Sequence, residues 1–137
     1  MINKIWIYIF IIMFLGTFIK IEAQTQSLLD GIWRSNTTGY NEFIGEYKLS
    51  QILYIQNNNF IWMEERIGER TPYWTSGVRG SFMIKYSKIT FLEEERTYGQ
   101  WDLRWEIGDG INIYTFYINN NILILTQDNE IIIFEKD

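Results

Sequence analysis

Residues 46–66 read EYKLSQILYIQNNNFIWMEER, and this stretch predicts two β-strands joined by a tight turn. Successive side chains of a strand point to opposite faces of a sheet, so Phe60, Trp62 and Glu64 share one face. Asparagine tolerates positive φ angles, which makes the triplet at residues 57–59 a turn signal. The stretch therefore predicts a β-hairpin with a largely aromatic inner face.

The rest of the chain after the first two dozen residues repeats this pattern of short apolar runs and tight turns. No segment there is long or periodic enough to predict a core helix. Short connections make consecutive strands antiparallel neighbours, and a twisted sheet of that many strands usually curls and closes. We therefore predict an all-β fold, an antiparallel up-and-down barrel of eight or nine strands. The predicted strands are residues 29–35, 46–56, 60–66, 78–85, 88–95, 100–107, 111–118, 122–126 and 130–135.

Two of the intervening segments have features of their own. Residues 36–45 are rich in Asn, Thr and Gly and predict a loose connection. Residues 67–77 contain the only proline, Pro72, which cannot donate to a strand ladder and so belongs in a loop. Tyr73 and Trp74 follow it, and we expect them to form a portal, a lid or a contact with a partner.

The N-terminus predicts an export signal at residues 1–23. Lys4 gives it a positive start, residues 5–19 are almost wholly apolar, and Ile21-Glu22-Ala23 offers a peptidase site. The apolar core of about 15 residues is short for a membrane-spanning helix of about 20. We predict an exported protein, periplasmic or secreted, with an uncleaved membrane anchor as the alternative. The remaining residues 24–137 suit one domain.

Charge and composition narrow the classes of partner. Removing Lys4, Lys20 and Glu22 from the totals of 12 basic and 17 acidic residues leaves 10 against 16, a net charge of −6. An acidic surface argues against binding to nucleic acid or anionic lipid. We also expect a monomer with no membrane span once the signal is removed. The chain has no cysteine, so it must be stable without disulfides.

Catalytic and metal chemistry is restricted because the chain has no histidine and no cysteine. Zinc sites, haem ligation by histidine and nucleophilic triads need those residues, and we predict no cofactor, no metal and no enzymatic activity. Carboxylate catalysis would gain support only if Glu64, Glu93 or Asp102 lined a pocket with Arg104 or Tyr114. A run of charges at a strand end is usually a solvated rim, which is our expectation for residues 93–95.

Three stretches together resemble a known family. They are LDGIW at residues 29–33, GVRGSFMI at 77–84 with its return strand KITF at 88–91, and the closing strands from residue 117 to Phe134. In this order the chain resembles the small bacterial lipocalin-like proteins of the calycin group, although it is shorter than a typical lipocalin and lacks the usual C-terminal helix. The resemblance implies that Trp33 plugs one barrel end under a side chain from a late strand; the alternative is a plain core tryptophan. The family has arginine there, and the nearest basic residue here is Lys136.

The prediction of function is based on the many aromatic side chains. An eight-stranded barrel either fills its interior with side chains or holds one small ligand, and both alternatives stay open at this point. We predict non-catalytic binding of a small apolar or amphipathic ligand; the alternative is a cell-envelope protein–protein interaction module, an inhibitor or assembly factor, with a filled barrel. The predicted ligand-binding residues are the wall residues Trp62, Phe82, Phe91, Tyr114 and Phe116, with Trp74 and Arg79 near the opening.

Overall fold

The computed structural model describes residues 4–70, 74–99 and 103–137. One helix, α1 (Lys4–Leu29), precedes nine strands. The strands are β1 (Gly31–Asn41), β2 (Gly45–Gln56), β3 (Asn59–Gly68), β4 (Trp74–Lys85), β5 (Lys88–Gly99), β6 (Glu106–Ile107), β7 (Ile111–Asn119), β8 (Ile122–Gln127) and β9 (Glu130–Lys136). In these three segments of the chain, no helix combines the length and hydropathy needed to cross a membrane.

Eight of the strands close into one antiparallel barrel. Each of β1 to β4 pairs with the strand that follows it, β5 pairs with β7, and β7, β8 and β9 continue the sheet. The barrel closes where β9 returns to β1, with Trp33 opposite Lys136 and Arg34 opposite Glu135. The two-residue strand β6 is an addition on β5. The prediction of an all-β, antiparallel, up-and-down barrel is thus confirmed.

The tight turns follow the residues that predicted them. Asn57 and Asn120 have φ angles of 55° and 45°, and Asp128 has 51°. Asparagine and aspartate adopt this left-handed conformation more readily than other side chains do. Tyr86, with φ of 57°, is the exception, and its ring lies in solvent with 84% exposure. Three of these turns, at Asn57, Tyr86 and Asn120, lie at the same end of the barrel, which we call the floor end.

The floor end is closed by the residues that lead into β1. Leu29 is fully buried, and its carbonyl oxygen accepts a 2.7 Å hydrogen bond from Trp33 Nε1. Lys136 Nζ lies 5.0 Å from the centroid of the Trp33 ring and donates to the Leu28 carbonyl at 2.9 Å. A lysine of the last strand therefore covers this tryptophan, where the family pattern has an arginine.

Four local predictions need correction. The connection predicted at residues 67–77 is strand at both ends, because β3 runs to Gly68 and β4 begins at Trp74. We expected no helix after residue 23, but α1 continues to Leu29 because burying that side chain completes the floor. The segment expected to be loose, residues 36–45, is strand as far as Asn41, since β1 and β2 pair along their whole length. Residues 100–107 were predicted as a long strand, and the structure has strand only at Glu106–Ile107; residues 100–102 lie outside the described residues.

In the structure, one edge of β5 pairs with two separate strands. β7 pairs with Lys88 through Leu92, and β6 pairs with Glu95 and Arg96. Trp105 instead packs on the outside of the barrel, where its ring lies 4.3 Å from the Arg79 guanidinium carbon.

Candidate functional site

The side chains that face the barrel interior change from apolar to polar at about the same height on most strands. On β3 the inward series runs Phe60, Trp62, Glu64, and on β9 it runs Phe134, Ile132, Glu130. Similar changes occur at Ser35 on β1, Gln51 on β2, Ser76 on β4, Asn112 on β7 and Gln127 on β8. The barrel interior therefore has an apolar lower half at the floor end and a polar upper half at the opposite end. We call that opposite end the polar end.

The lower half is packed with side chains. Its buried core contains fully buried aliphatic residues from three strands and rings from five. The members are Trp33, Leu53, Ile55, Phe60, Trp62, Phe82, Ile89, Phe91, Leu123, Leu125 and Phe134, with Leu29 beneath them. This half of the interior matches the filled-barrel alternative.

The upper half contains a partly open cavity of about 370 Å³. Its apolar walls are formed by Phe60, Trp62, Val78, Phe91 and Ile132. Its polar walls are formed by Gln51, Glu64, Ser76, Glu93, Arg96, Tyr98, Asn112, Tyr114 and Glu130, with Gly77 and Thr97 also contributing atoms. A volume of this size lies near the lower limit of small-molecule sites, which run from about 300 to 1,000 Å³. The site suits one small amphipathic molecule.

Aromatic rings separate the cavity from the filled half. Phe91 packs edge-on against Phe60 at 4.7 Å between ring centroids and against Trp62 at 5.7 Å. Tyr114 lies 5.8 Å from Trp62 and 6.0 Å from Phe91. Edge-to-face pairs at these distances add stability beyond the area they bury, so these rings form a fixed surface for a ligand.

One polar wall is held together by Glu64. Its Oε2 accepts a 3.2 Å hydrogen bond from Gln51 Nε2, and its Oε1 accepts a 3.1 Å bond from an Arg66 terminal nitrogen. The Arg66 guanidinium also lies 5.1 Å from the centroid of the Tyr47 ring. The pairing with Arg66 orients the Glu64 carboxylate in the wall.

The opposite wall depends on a β-bulge between β4 and β5. Gly80 pairs with Glu93 and Arg79 with Glu95, so Glu94 is the extra residue. A bulge reverses the alternation beyond it, and Arg96 consequently faces the interior together with Glu93. Glu93 Oε1 lies 2.6 Å from Arg96 Nε, in an ion pair whose Glu93 side chain is only 8% exposed.

The bulge overturns our expectation that residues 93–95 form a solvated rim. Glu93 is inside the barrel, Glu94 is exposed, and Glu95 is on the outer face with Arg79. Gly108 and Gly110 leave room for the Glu93 carboxylate, because a side chain at either glycine would overlap it. The backbone N–H of Glu93 also donates to the Gly110 carbonyl at 2.8 Å. The glycine-rich turn after β6 thus serves to pack an interior carboxylate.

The structure brings together only part of the predicted ligand-binding set. Trp62, Phe91 and Tyr114 line the cavity. Phe82 and Phe116 pack in the filled lower half. Trp74 begins β4 at the polar end and is 45% exposed, although it is not among the lining residues. Tyr73, predicted beside it, lies outside the described residues.

Arg79, predicted near the opening, lies on the outer face of β4. Its Nε is 2.5 Å from Glu95 Oε2, and its guanidinium is covered by Trp105. Successive residues of a strand face opposite sides of the sheet, and Val78 and Gly80 on either side of Arg79 are on the inward face. Arg79 therefore faces outward.

The lining residues that sequence reasoning missed fall into two groups. Gln51, Asn112 and Glu130 continue an inward alternating series by one more step, so the sequence contained their signal. Arg96 follows the bulge, and no pattern in the sequence places that bulge. Glu64 and Glu93 do line the cavity with Tyr114, whereas Asp102 lies outside the described residues.

Tyr114 has the one resolved pKa shift among the described residues. Burial raises the pKa of its phenol above the ordinary value, and the negative charges of Glu130 and Glu64 raise it further. The folded protein therefore keeps this proton at a pH where the unfolded chain releases it. The stabilisation is full below pH about 10, the pKa of an unfolded tyrosine, and is lost as the pH rises through the folded pKa.

The Tyr114→Phe variant should show this effect directly. We expect its free energy of unfolding to fall less steeply above pH about 10 than that of the wild type, because the phenol that resists ionisation is gone. Urea unfolding at a series of alkaline pH values measures the slope. Tyr86→Phe is the matched control, since Tyr86 is 84% exposed, and it should keep the wild-type slope. Equal slopes for Tyr114→Phe and wild type would show that the phenol is not shielded.

Within the described parts of the chain, no group of three His, Cys, Asp or Glu side chains is arranged to hold a metal ion. Comparisons with known proteins leave the site to be interpreted from its own geometry, because no family model and no curated protein matches this sequence.

Proposed function

We propose that this protein binds a small amphipathic molecule in the upper half of the barrel and does not transform it. The observation that supports the proposal most is the cavity of about 370 Å³, bounded by rings on one side and polar groups on the other. Hydrophobic and aromatic walls with a few placed polar groups are typical of small-molecule sites. The lipocalin-like interpretation is part of the same proposal, supported by the closed eight-stranded barrel and by Lys136 over Trp33.

Two alternatives have some support. A protein–protein role, as an inhibitor or assembly factor of the cell envelope, is supported by the filled lower half and by the 45% exposure of Trp74. Carboxylate catalysis is supported by the shared cavity of Glu64, Glu93 and Tyr114. We favour binding because each of the two carboxylates is already engaged by an arginine as part of a wall.

The proposal includes export of a monomeric domain, residues 24–137, to the periplasm or the medium. Residues 1–23 have the composition of a leader, and the floor contacts of α1 include Gln26, whose Nε2 donates to the Asn57 carbonyl, together with Leu28 and Leu29. A cut after Ala23 would therefore leave the barrel floor complete. Retention of α1 as a membrane anchor is the alternative.

Blocking the cavity provides a test with a matched control on the same strand. Ser76 lines the cavity, so Ser76→Trp should fill much of it and weaken binding of the neutral dye N-phenyl-1-naphthylamine by about tenfold or more. Ser81 lies on the outer face of β4, where its hydroxyl donates to Glu94, and Ser81→Trp should bind like the wild type. Dye fluorescence titrations measure both affinities. Equal affinities for all three proteins, or no dye binding by the wild type, would contradict the proposal.

A further inference from the structure

The charges in the cavity wall are unbalanced. Three carboxylates, Glu64, Glu93 and Glu130, share the wall with one guanidinium, that of Arg96. Arg66 binds Glu64 from outside the lining, and Arg96 binds Glu93. Glu130 is exposed at the turn between β8 and β9, at the rim of the cavity, and has no ion-pair partner among the described residues. One negative charge at the polar end is therefore left uncompensated by the protein.

Two further observations show that negative charge acts inside this cavity. Burial raises the pKa of Tyr114 most, and the nearby carboxylates of Glu130 and Glu64 raise it further. Glu93 Oε1 is buried without a hydrogen-bond donor of good geometry among the described residues, although the Arg96 ion pair touches it. Adding an anion to this interior would place like charges together in a partly dehydrated space.

The aromatic rings that border the cavity beside these carboxylates favour a positively charged ligand group. Trp62, Phe91 and Tyr114 pack against one another at centroid separations of 5.7 to 6.0 Å and border the cavity. The negative face of an aromatic ring attracts a cation, and tryptophan does so most strongly. A quaternary ammonium group among aromatic rings is a common use of this interaction.

We propose that the ligand of this cavity is an organic cation, an amine or quaternary ammonium with an aromatic or apolar body. The body would rest on Phe60, Trp62 and Phe91, and the cationic group would face Glu130. This inference rests on the proposed binding function and adds the class of molecule that is bound. Anionic amphiphiles such as fatty acids are then disfavoured ligands.

Three small probes with one ring and different charges test the inference. They are benzyltrimethylammonium, benzyl alcohol and phenylacetate, titrated into the protein at neutral pH and low salt by calorimetry. We expect the cation to bind about tenfold more tightly than the alcohol, and phenylacetate to bind more weakly than either. Glu130→Gln should reduce the preference for the cation over the alcohol by about fivefold.

The control variant is Glu135→Gln, because Glu135 lies on the same strand as Glu130 but on its outer, exposed face. It should keep the wild-type preference. Equal binding of cation and alcohol, or an equal effect of the two variants, would overturn the inference and leave the proposed function standing. Failure of all three probes to bind would overturn the proposed function as well.

Discussion

Replacing Phe91 with alanine is expected to lower the free energy of unfolding by about 3–5 kcal/mol. The Phe91 side chain is 2% exposed, and its ring contacts those of Phe60, Trp62, Phe82 and Tyr114 at centroid distances of 4.7 to 6.2 Å. Truncation removes these contacts and leaves a void between the two halves of the barrel. Urea unfolding followed by circular dichroism measures the loss.

The same substitution at an exposed phenylalanine is the control. Phe43, in the turn between β1 and β2, is 85% exposed, and Phe43→Ala should change the free energy of unfolding by no more than about 0.5 kcal/mol. A loss of under about 1 kcal/mol in Phe91→Ala would mean that the lower half is loosely packed. The separation of a filled half from a hollow half would then be wrong.

Gly80→Ala should be almost as damaging, with an expected loss of about 2–4 kcal/mol. A Cβ atom at Gly80 would overlap the carbonyl oxygen of Leu92 and lie 2.9 Å from the backbone nitrogen of Glu94. Backbone atoms at a bulge cannot rotate away as the end of a side chain can. The substitution should therefore undo the bulge that turns Arg96 inward, and thermal or urea unfolding would register the cost.

Gly39→Ala is the matched control for this prediction. Gly39 is also within a strand, and the atoms nearest to an added Cβ belong to the ring end of Tyr47, which can swing aside. We expect a loss of about 1 kcal/mol or less for Gly39→Ala. If Gly80→Ala were as mild as Gly39→Ala, the two strands would not approach as closely at Gly80 as the structure indicates.

The barrel could be predicted because each hairpin carries its own signal. Alternation in residues 60–66 and asparagine at positions 57 and 120 specify strands and turns locally. Closure follows from the number of strands and their twist. The local sequence pattern does not show which strand pairs with each strand edge. Residues 100–107 alternate as clearly as any strand, yet among those that the structure describes only Glu106 and Ile107 pair with β5.

The site was predictable only in part. Trp62 and Phe91 lie on strand faces that the alternation of side chains identifies. The inward series of β3 and β9 each continue by one more residue, to Glu64 and Glu130. On the opposite wall, Glu93 follows Phe91 by alternation, whereas Arg96 was hidden because the bulge at Arg79/Gly80 turns it to the same side. A bulge depends on contacts between two strands rather than on either sequence alone.

The most direct test of a ligand site in the upper half measures the indole N–H signals of two tryptophans that lie at different heights in the barrel. Trp62 borders the cavity, whereas Trp33 is buried at the floor end, where its indole N–H donates to the Leu29 carbonyl. In ¹H–¹⁵N spectra recorded with increasing benzyl alcohol, we expect the Trp62 indole signal to move and the Trp33 signal to stay in place. Movement of the Trp33 signal alone, or of neither signal at saturating alcohol, would contradict a ligand site in the upper half of this barrel.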